Sequence, residues 1–175
     1  MKSRLSGRAV RVATSVAAIG MAMGASVVTA QAQAEAQAEA QGTVSIRTFA
    51  DKCFDVEGGS TGDDVRIIQY TCGGQVNQKF SIEQLGGGEV RIRTFANKCL
   101  DVRGANSGDD VRIIQYSCTG SYNQRFRLTS LSDGAYEIDT FADKCLDVRG
   151  GSTANNTPII QYTCTGAFNQ RFRIG

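Results

Sequence analysis

Four kinds of polar or aromatic side chain recur in this chain at fixed spacing, and together they could bind a ligand rich in hydroxyl groups. An aspartate stands two residues after a cysteine, a tyrosine stands two residues before a second cysteine, and an Asn-Gln pair follows. A carboxylate can accept two hydroxyl donors at once, and an aromatic ring offers an apolar platform. A structural interpretation stays open as well, because such an Asp can cap a turn and an Asn-Gln pair can satisfy irregular backbone. The three sets are Asp55, Tyr70, Asn77 and Gln78; Asp101, Tyr116, Asn123 and Gln124; and Asp147, Tyr162, Asn169 and Gln170.

These side chains belong to one block of sequence that occurs three times. The copies read FADKCFDVEGGSTGDDVRIIQYTC from Phe49, FANKCLDVRGANSGDDVRIIQYSC from Phe95 and FADKCLDVRGGSTANNTPIIQYTC from Phe141, and each is followed by NQKF or NQRF. The first cysteines of successive copies are 46 residues apart. A fixed period of this length indicates one supersecondary unit used repeatedly, with each copy needing its neighbours to complete a core.

The six cysteines all lie in these repeats, two in each copy and always 19 residues apart. An even number of cysteines in an exported chain is typical of disulfides, and each loop of about 20 residues closed in this way should stabilise the fold by roughly 3 kcal/mol. A zinc site is the competing interpretation, but the sequence has no His and no CxxC motif. Six cysteines allow fifteen connectivities. The repeat symmetry selects Cys53–Cys72, Cys99–Cys118 and Cys145–Cys164.

The first 30 residues have the pattern of a signal peptide. A basic start is followed by a small-residue apolar run, Val12–Ala30, with cleavage expected after Ala30 or Ala32. An uncleaved membrane anchor is the alternative, which the Thr, Ser and Gly inside the run disfavour. Residues 31–41 (QAQAEAQAEAQ) form a low-complexity segment that cannot bury a core, so we expect a disordered leader before a single domain over residues 42–175.

Removal of the signal peptide changes the charge balance of the chain. Of the 19 basic residues in the sequence, four lie in the signal peptide, which leaves 15 against 17 acidic residues and a net charge of −2. The mature chain has no concentrated basic stripe of the kind that nucleic-acid-binding proteins show. We therefore expect no nucleic-acid partner, and no other apolar stretch is suited to membrane insertion.

The local pattern of each repeat predicts β-strands only. In the first copy, the short apolar-alternating runs VSIRTF, KCFDV, VRIIQY and KFSI are separated by clusters of Gly, Asp, Asn and Ser. Four short strands in each of three copies give about twelve strands, and no window has a helical period of useful length. Three such units around a pseudo-threefold axis would form a closed arrangement with few exposed sheet edges.

The combination of C-[FL]-D-V, a Gly/Ser/Asn loop, I-I-Q-Y-[TS]-C and N-Q-[KR]-F resembles the ricin-type lectin repeat, the carbohydrate-binding module of plant toxin B chains and secreted bacterial glycosidases. The resemblance covers the whole predicted domain in three copies, at about residues 43–88, 89–134 and 135–175. It implies an all-β, pseudo-threefold β-trefoil with one shallow sugar site in each repeat.

The resemblance also implies a role for each recurring residue. The aspartates accept hydrogen bonds from two sugar hydroxyls, and the tyrosines stack on the apolar face of the ring. The asparagines bond a hydroxyl, and the glutamines of the Asn-Gln pairs support the acids. A pyranose, with its polar rim and its C–H face, requires this kind of chemistry.

Two features depart from the family pattern. Many members carry Gln two residues before the stacking aromatic, whereas this chain has Ile68, Ile114 and Ile160, which predicts a more apolar site with one donor fewer. By strand alternation the intervening Gln69, Gln115 and Gln161 should point inward, where a buried amide needs partners. The family often ends its repeat with Gln-x-Trp, and this chain instead has Phe80, Phe126 and Phe172, which we interpret as core positions.

Other motifs carry weaker signals. The adjacent acids Asp63-Asp64 and Asp109-Asp110 are replaced by Asn155-Asn156 in the third copy, which indicates a turn role more than a shared calcium site. Asn155-Asn156-Thr157 fits a glycosylation acceptor and equally fits a plain turn. The chain has no His and no cysteine left over after pairing, and its repeated acids belong to separate copies. We therefore expect no enzyme activity, no metal site and no cofactor.

These observations predict a secreted, monomeric lectin with up to three sites for galactose-, xylose- or arabinose-type sugars or their polysaccharides. Two alternatives stay open. One is a protein-binding trefoil, such as a protease inhibitor that uses one exposed loop, although such an inhibitor would not require three equal copies. The other is a structural surface protein with inactive sites.

Overall fold

The computed structural model of the protein describes residues 42–175, which form a β-trefoil of twelve strands and six short 3₁₀ turns. The signal peptide predicted over residues 1–30 and the leader predicted over residues 31–41 lie outside the described residues. Within the described part, no helix has the length and apolarity required to cross a membrane.

The strands fall into three groups of four, one group for each sequence repeat. The first group is β1 (Ile46–Arg47), β2 (Lys52–Val56), β3 (Val65–Thr71) and β4 (Phe80–Gly86). The second is β5 (Glu89–Thr94), β6 (Cys99–Val102), β7 (Val111–Tyr116) and β8 (Phe126–Ser130). The third is β9 (Tyr136–Thr140), β10 (Cys145–Val148), β11 (Thr157–Tyr162) and β12 (Arg173–Ile174). The 3₁₀ turns are Glu57–Gly59, Val76–Gln78, Arg103–Ala105, Tyr122–Gln124, Arg149–Gly151 and Phe168–Gln170.

A single hydrophobic core joins the three groups. Each repeat contributes an aliphatic residue from its first strand, two apolar residues from its second, an isoleucine from its third and a phenylalanine at the start of its fourth strand or, for Phe172, just before it. The phenylalanines that replace the family's Trp are buried, as predicted, and Phe54 makes edge-to-face contact with Phe172 at a centroid distance of 5.1 Å. The fully repeated core positions are Ile46, Ile92 and Ile138; Phe54, Leu100 and Leu146; Val56, Val102 and Val148; Ile67, Ile113 and Ile159; and Phe80, Phe126 and Phe172.

The hairpin of the second and third strands has two faces, one that points into the core and one that points away from it. In β2 and β3, Phe54 lies opposite Gln69, and Val56 lies opposite Ile67, on the face that points into the core. Cys53 lies opposite Tyr70, and Asp55 lies opposite Ile68, on the other face. Because side chains alternate along a strand, one hairpin serves the core and the surface site at once.

Each hairpin is closed by one of the three predicted disulfides. The bonds Cys53–Cys72, Cys99–Cys118 and Cys145–Cys164 join Cα atoms 5.1, 5.1 and 5.0 Å apart. Each bond links the start of the second strand of a repeat to the chain one or two residues beyond its third strand. No cysteine of the described residues is free.

The third strands of the repeats close a ring around the pseudo-threefold axis. β3 pairs with β7 through Val65 and Gln115, and β7 pairs with β11 through Val111 and Gln161. β11 returns to β3 through Thr157 and Gln69, so each third strand contacts the other two. Because the three repeats share one core, a single repeat cannot bury its core residues by itself.

Three fully buried glutamines reinforce this ring, and we call them the glutamine clamp (Gln69, Gln115 and Gln161). The Nε2 of Gln115 donates to the carbonyls of Ser60 and Gly62 in the preceding repeat, at 2.9 and 2.7 Å. Gln69 reaches the third repeat and Gln161 the second in the same way. These bonds supply the partners that an inward-pointing amide needs, while each Oε1 stays buried without a protein donor in the described residues.

We expect Gln115→Ala to lower the free energy of unfolding by about 2–4 kcal/mol, because it removes two hydrogen bonds between repeats and opens a cavity at a fully buried position. Urea denaturation followed by circular dichroism measures this change. Gln84→Ala, which changes an exposed glutamine of β4, is the control and should shift stability by less than about 0.5 kcal/mol. An equal effect for the two variants would contradict the clamp.

Candidate functional site

The outer face of each β2–β3-type hairpin forms one wall of an open cleft, and the other walls come from loops. The three clefts have volumes of about 410, 650 and 380 Å³ in the first, second and third repeats. The first cleft is lined by Asp55, Ile68, Tyr70 and Asn77, all from its own repeat. The equivalent residues line the other two. The structure therefore brings together the acid, the tyrosine and the asparagine that the sequence grouped.

The acid of the first cleft is held in place by the Asn-Gln pair. Asp55 is 4% exposed, and its two carboxylate oxygens accept hydrogen bonds from Asn77 Nδ2 and Gln78 Nε2, each at 2.8 Å. The pair sits on the 3₁₀ turn Val76–Gln78, which directly precedes β4. The local turn, rather than a regular strand, presents both amides to the same carboxylate.

The other two clefts keep the contact between glutamine and acid. Gln124 Nε2 lies 2.9 Å from Asp101 Oδ2, and Gln170 Nε2 lies 3.0 Å from Asp147 Oδ2. Asn123 and Asn169 donate to the carbonyls of the valines that end β6 and β10. The acid is buried in all three repeats.

The glutamine of each pair is a supporting residue in this geometry. Gln78 is 1% exposed, and its amide also donates to the Thr71 carbonyl and accepts from the Gly73 amide. Gln124 and Gln170 make the equivalent contacts. With both ends of the amide occupied by the protein, these side chains position the acid and have little left to offer a ligand.

The asparagines are placed differently from the glutamines. Asn77 donates through Nδ2 to Asp55 and to the Val56 carbonyl, while its Oδ1 accepts no hydrogen bond from the described residues and is not among the buried unpaired atoms. Because Asn77 lines the first cleft, this oxygen is a candidate acceptor for a ligand hydroxyl. The contacts of Nδ2 with Asp55 and with the Val56 carbonyl give Asn77 the structural role that the sequence suggested.

The tyrosines are the most exposed aromatic groups of the clefts. Tyr70, Tyr116 and Tyr162 are 40–41% exposed, whereas the neighbouring isoleucines Ile68, Ile114 and Ile160 are 2–3% exposed. The isoleucine lies directly opposite the acid in the hairpin and forms an apolar part of the cleft floor. The isoleucine side chain at this position offers no hydrogen-bond donor to a ligand.

Each cleft also contains a residue of another repeat, which the sequence analysis did not assign to the site. Asn156 lines the first cleft, Asp64 the second and Asp110 the third. Their positive φ angles, between +59° and +63°, confirm the turn role predicted for these loops. The sequence feature that could have identified these residues is the polar pair that precedes the third strand in every copy.

Two arginines that line the clefts were also not predicted from the sequence. Arg103 Nε and Nη2 each lie 2.7 Å from the carboxylate of Asp64, and Arg149 Nη2 lies 2.5 Å from Asp110 Oδ2. Both pairs cross from one repeat to the next and line the second and third clefts. In the first repeat the equivalent position is Glu57, so the second and third clefts have an arginine–aspartate pair in their lining that the first cleft lacks.

Burial sets the electrostatics of the three acids. Desolvation raises the pKa of Asp55 above its ordinary value of 3.8, and the hydrogen bonds from Gln78 and Asn77 offset only part of this shift. The pKa values of Asp101 and Asp147 are raised for the same reason. A carboxylate with a raised pKa costs stability at neutral pH, and this cost vanishes below its unfolded-state pKa. The ionised carboxylates of the three clefts therefore do not stabilise the fold.

The surface acids of the loops behave in the opposite way. A hydrogen bond from Lys98 lowers the pKa of Asp63, and one from Lys144 lowers that of Asp109. The Arg103 guanidinium lowers the pKa of Asp64. These groups stay ionised at a pH where the acids of the clefts begin to bind protons.

One group of possible metal ligands occurs among the described residues, at Glu137, Asp139, Cys145 and Cys164, with ligand atoms within 4.8 Å of one another. Both sulfur atoms belong to the disulfide Cys145–Cys164. The group therefore offers two carboxylates and no thiolate, which is a poor ligand set for zinc.

Comparison with known proteins identifies relatives of this architecture. The sequence model described as "Ricin-type beta-trefoil lectin domain-like" matches residues 34–116, 77–162 and 123–175. Comparison with curated proteins finds no match.

Solved structures with similar folds include designed and natural proteins. The designed threefold-symmetric protein ThreeFoil is 36% identical with a TM-score of 0.74, and the match covers 75% of this chain and 96% of that protein. An exo-β-1,3-galactanase from Clostridium thermocellum is 30% identical with a TM-score of 0.73, over 75% of this chain and 29% of the enzyme. The Rhizoctonia solani agglutinin is 20% identical with a TM-score of 0.67, over 77% of this chain and 94% of the agglutinin. At this identity the similarity supports a shared fold and nothing further.

We expect Gln124→Ala to raise the pKa of Asp101 further, because the variant removes a hydrogen bond to the carboxylate and leaves most of its burial. A ¹³C NMR titration of the carboxyl carbons measures this change. Asp55 and Asp147 serve as controls within the same molecule and should keep their pKa values. An unchanged or lowered pKa for Asp101 would contradict the supporting role of the glutamine.

Proposed function

The chain belongs to the ricin-type β-trefoil lectin family, and we propose that it is a secreted carbohydrate-binding lectin with up to three shallow sugar sites, one in each cleft. The observation that carries the proposal is the pairing, three times over, of a buried carboxylate with an exposed tyrosine ring. Since the ionised acid costs stability, its recurrence is better accounted for by ligand binding than by folding.

The geometry suggests a role for each group at a sugar. The tyrosine stacks on the C–H face of a pyranose, and the adjacent isoleucine extends this apolar contact. The carboxylate oxygens accept from vicinal hydroxyls, and the Oδ1 of Asn77, Asn123 or Asn169 accepts from a third. Because no donor replaces the family's glutamine at Ile68, Ile114 and Ile160, recognition depends on hydroxyl donors of the sugar.

Galactose-, xylose- and arabinose-type sugars are the proposed ligands. The similarity to part of an exo-β-1,3-galactanase supports a galactan among them. A single open site should bind with about millimolar affinity, or roughly −4 kcal/mol. Three sites on one rigid body could increase apparent affinity for a polymer by about 10²–10⁴. Multivalent contact with a polysaccharide or a glycan-coated surface is therefore the proposed mode of action, by a monomer.

The arrangement of the carboxylates supports sugar binding without hydrolysis. Hydrolysis of a glycoside commonly requires two carboxyl groups on either side of the bond. In the second cleft, the other acid, Asp64, is engaged on both oxygens by Arg103. In the first cleft the equivalent residue is Asn156.

The three disulfides support an extracellular location. Disulfides persist in oxidising compartments and are rare in the cytosol. Together with the predicted signal peptide over residues 1–30, they lead us to propose secretion.

We expect Asp55→Ala, Asp101→Ala and Asp147→Ala each to weaken binding to a polymeric galactan, xylan or arabinan by about tenfold, because each removes one of three sites from a multivalent contact. Affinity electrophoresis measures the change, and calorimetry gives the number of sites. Asp133→Ala, which removes an exposed acid outside the clefts, is the control. Failure of the wild-type protein to bind any of the three polymers would refute the proposal.

We expect sugar affinity to be full near neutral pH and to fall as the pH is lowered, with a midpoint above 3.8. The reason is that protonation of an acid with a raised pKa removes an acceptor for hydroxyl groups. Affinity measured from pH 7 to pH 4 tests this expectation, with circular dichroism at each pH as the control for folding. Constant affinity down to pH 4 would show that the carboxylates do not accept hydrogen bonds from the sugar.

A further inference from the structure

The boundary between the second and third repeats carries a cationic cleft of about 660 Å³ beside the candidate sugar sites. Its charged lining residues are Arg103, Arg112, Arg149 and Asp110. Three guanidinium groups and one carboxylate line this cleft, and with Asp64, which pairs with Arg103 at its edge, the local net charge is +1. A local excess of arginine on an otherwise slightly acidic mature chain is a feature that the neutral-sugar sites do not explain.

The other two repeat boundaries lack this excess of positive charge. A shift of 46 residues toward the N-terminus places Glu57, Asp64, Arg66 and Arg103 at the equivalent positions, which balance to zero. At the boundary between the third and first repeats, the equivalent positions hold Arg149, Asn156, Pro158 and Glu57, which also balance. The cationic cleft is therefore specific to one of three otherwise similar boundaries.

The availability of Arg112 distinguishes the cationic cleft further. Arg112 is exposed and makes no ion pair with any of the described residues. Its equivalent in the first repeat, Arg66, donates from Nε to Glu57 at 2.7 Å. Arg103 and Arg149 are about half exposed and keep donor groups beyond those used for Asp64 and Asp110. An anion entering the cationic cleft would therefore meet one unpaired guanidinium and two partly paired ones.

The cationic cleft adjoins two candidate sugar sites. It shares Arg103 and Gly104 with the cleft of the second repeat, and Asp110 and Arg149 with the cleft of the third. A sugar held at Asp101 or Asp147 would thus place its substituents, or the next residue of its chain, toward the arginines.

From this arrangement we propose that the second and third sites, with the cationic cleft between them, bind anionic glycans that carry carboxylate or sulfate groups. The inference rests on the proposed lectin function. The planar fork of a guanidinium matches the oxygens of a carboxylate or sulfate, and arginine binds such groups in pairs of hydrogen bonds. The first site, which has Glu57 in place of arginine, is left for neutral sugars.

The test compares three polymers in calorimetry and affinity electrophoresis: neutral galactan, polygalacturonate and a sulfated galactan. We expect an anionic polymer to bind about tenfold more tightly than neutral galactan at 50 mM salt, and this advantage to shrink at 200 mM salt because exposed charges are screened. The two anionic polymers distinguish a carboxylate from a sulfate ligand, and a preference for either supports the inference.

The variant Arg112→Gln should reduce binding of the anionic polymer about fivefold, as expected for an exposed charge contact, and leave binding of neutral galactan unchanged. Arg66→Gln is the matched control, since it changes the same strand position in the first repeat and should have no effect. Arg112 forms no ion pair that stabilises the described fold, and thermal unfolding of both variants checks this.

Three outcomes would overturn the inference. Equal binding of neutral and anionic galactans would do so while leaving the proposed lectin function intact. An equal loss for Arg112→Gln and Arg66→Gln would show a general charge effect. Anion binding that is lost in Arg112→Gln but unaffected by Asp101→Ala and Asp147→Ala would show an anion site independent of sugar. If no polymer binds, the proposed function and this inference fail together.

Discussion

The closed ring of third strands, reinforced by the glutamine clamp, is the constraint on which the rest of the structure depends. Each of Gln69, Gln115 and Gln161 binds two main-chain carbonyls of another repeat, so the loop that leads into one third strand is held against the next. Each hydrogen bond contributes only about 1 kcal/mol net, but the six bonds together connect all three repeats. The same loops line the clefts. Closure of the ring therefore adds one residue of another repeat to each cleft.

Within this ring, a single hairpin supports two functions because its side chains alternate. The inner face of β2 and β3 gives Phe54 and Val56 to the core, and the outer face gives Asp55 and Tyr70 to the cleft. The disulfide closes the hairpin just beside the tyrosine. Burial of the acid costs stability, and the Asn-Gln pair reduces this cost without removing it. The arrangement fits a site that is held rigid before any ligand arrives, which lowers the entropic cost of binding.

The threefold symmetry is least exact at the rims of the clefts. Core and clamp positions are close to identical in the three repeats, whereas the residues at the rims of the clefts differ in charge. Glu57 faces its own Arg66 in the first repeat, and Arg103 and Arg149 face acids of the preceding repeat in the other two. The side chains of these residues are 35–53% exposed, so their substitution should cost the fold little. Specificity can therefore differ among sites that share one supporting framework.

The sequence by itself determined the features that depend on local pattern and on the period of 46 residues. The all-β class, the three disulfides, the inward glutamines and the buried Phe80, Phe126 and Phe172 all follow from alternation, spacing and repetition, and so does the grouping of Asp55, Tyr70, Asn77 and Gln78. Only the tertiary structure decided which neighbour each repeat contacts. Asp64, Asp110 and Asn156 lie in clefts of other repeats, and the partners of the glutamine clamp are 53–85 residues away in the chain. A local pattern states which face of a strand is buried, but the contacts between repeats are set by closure of the ring, which no single repeat encodes.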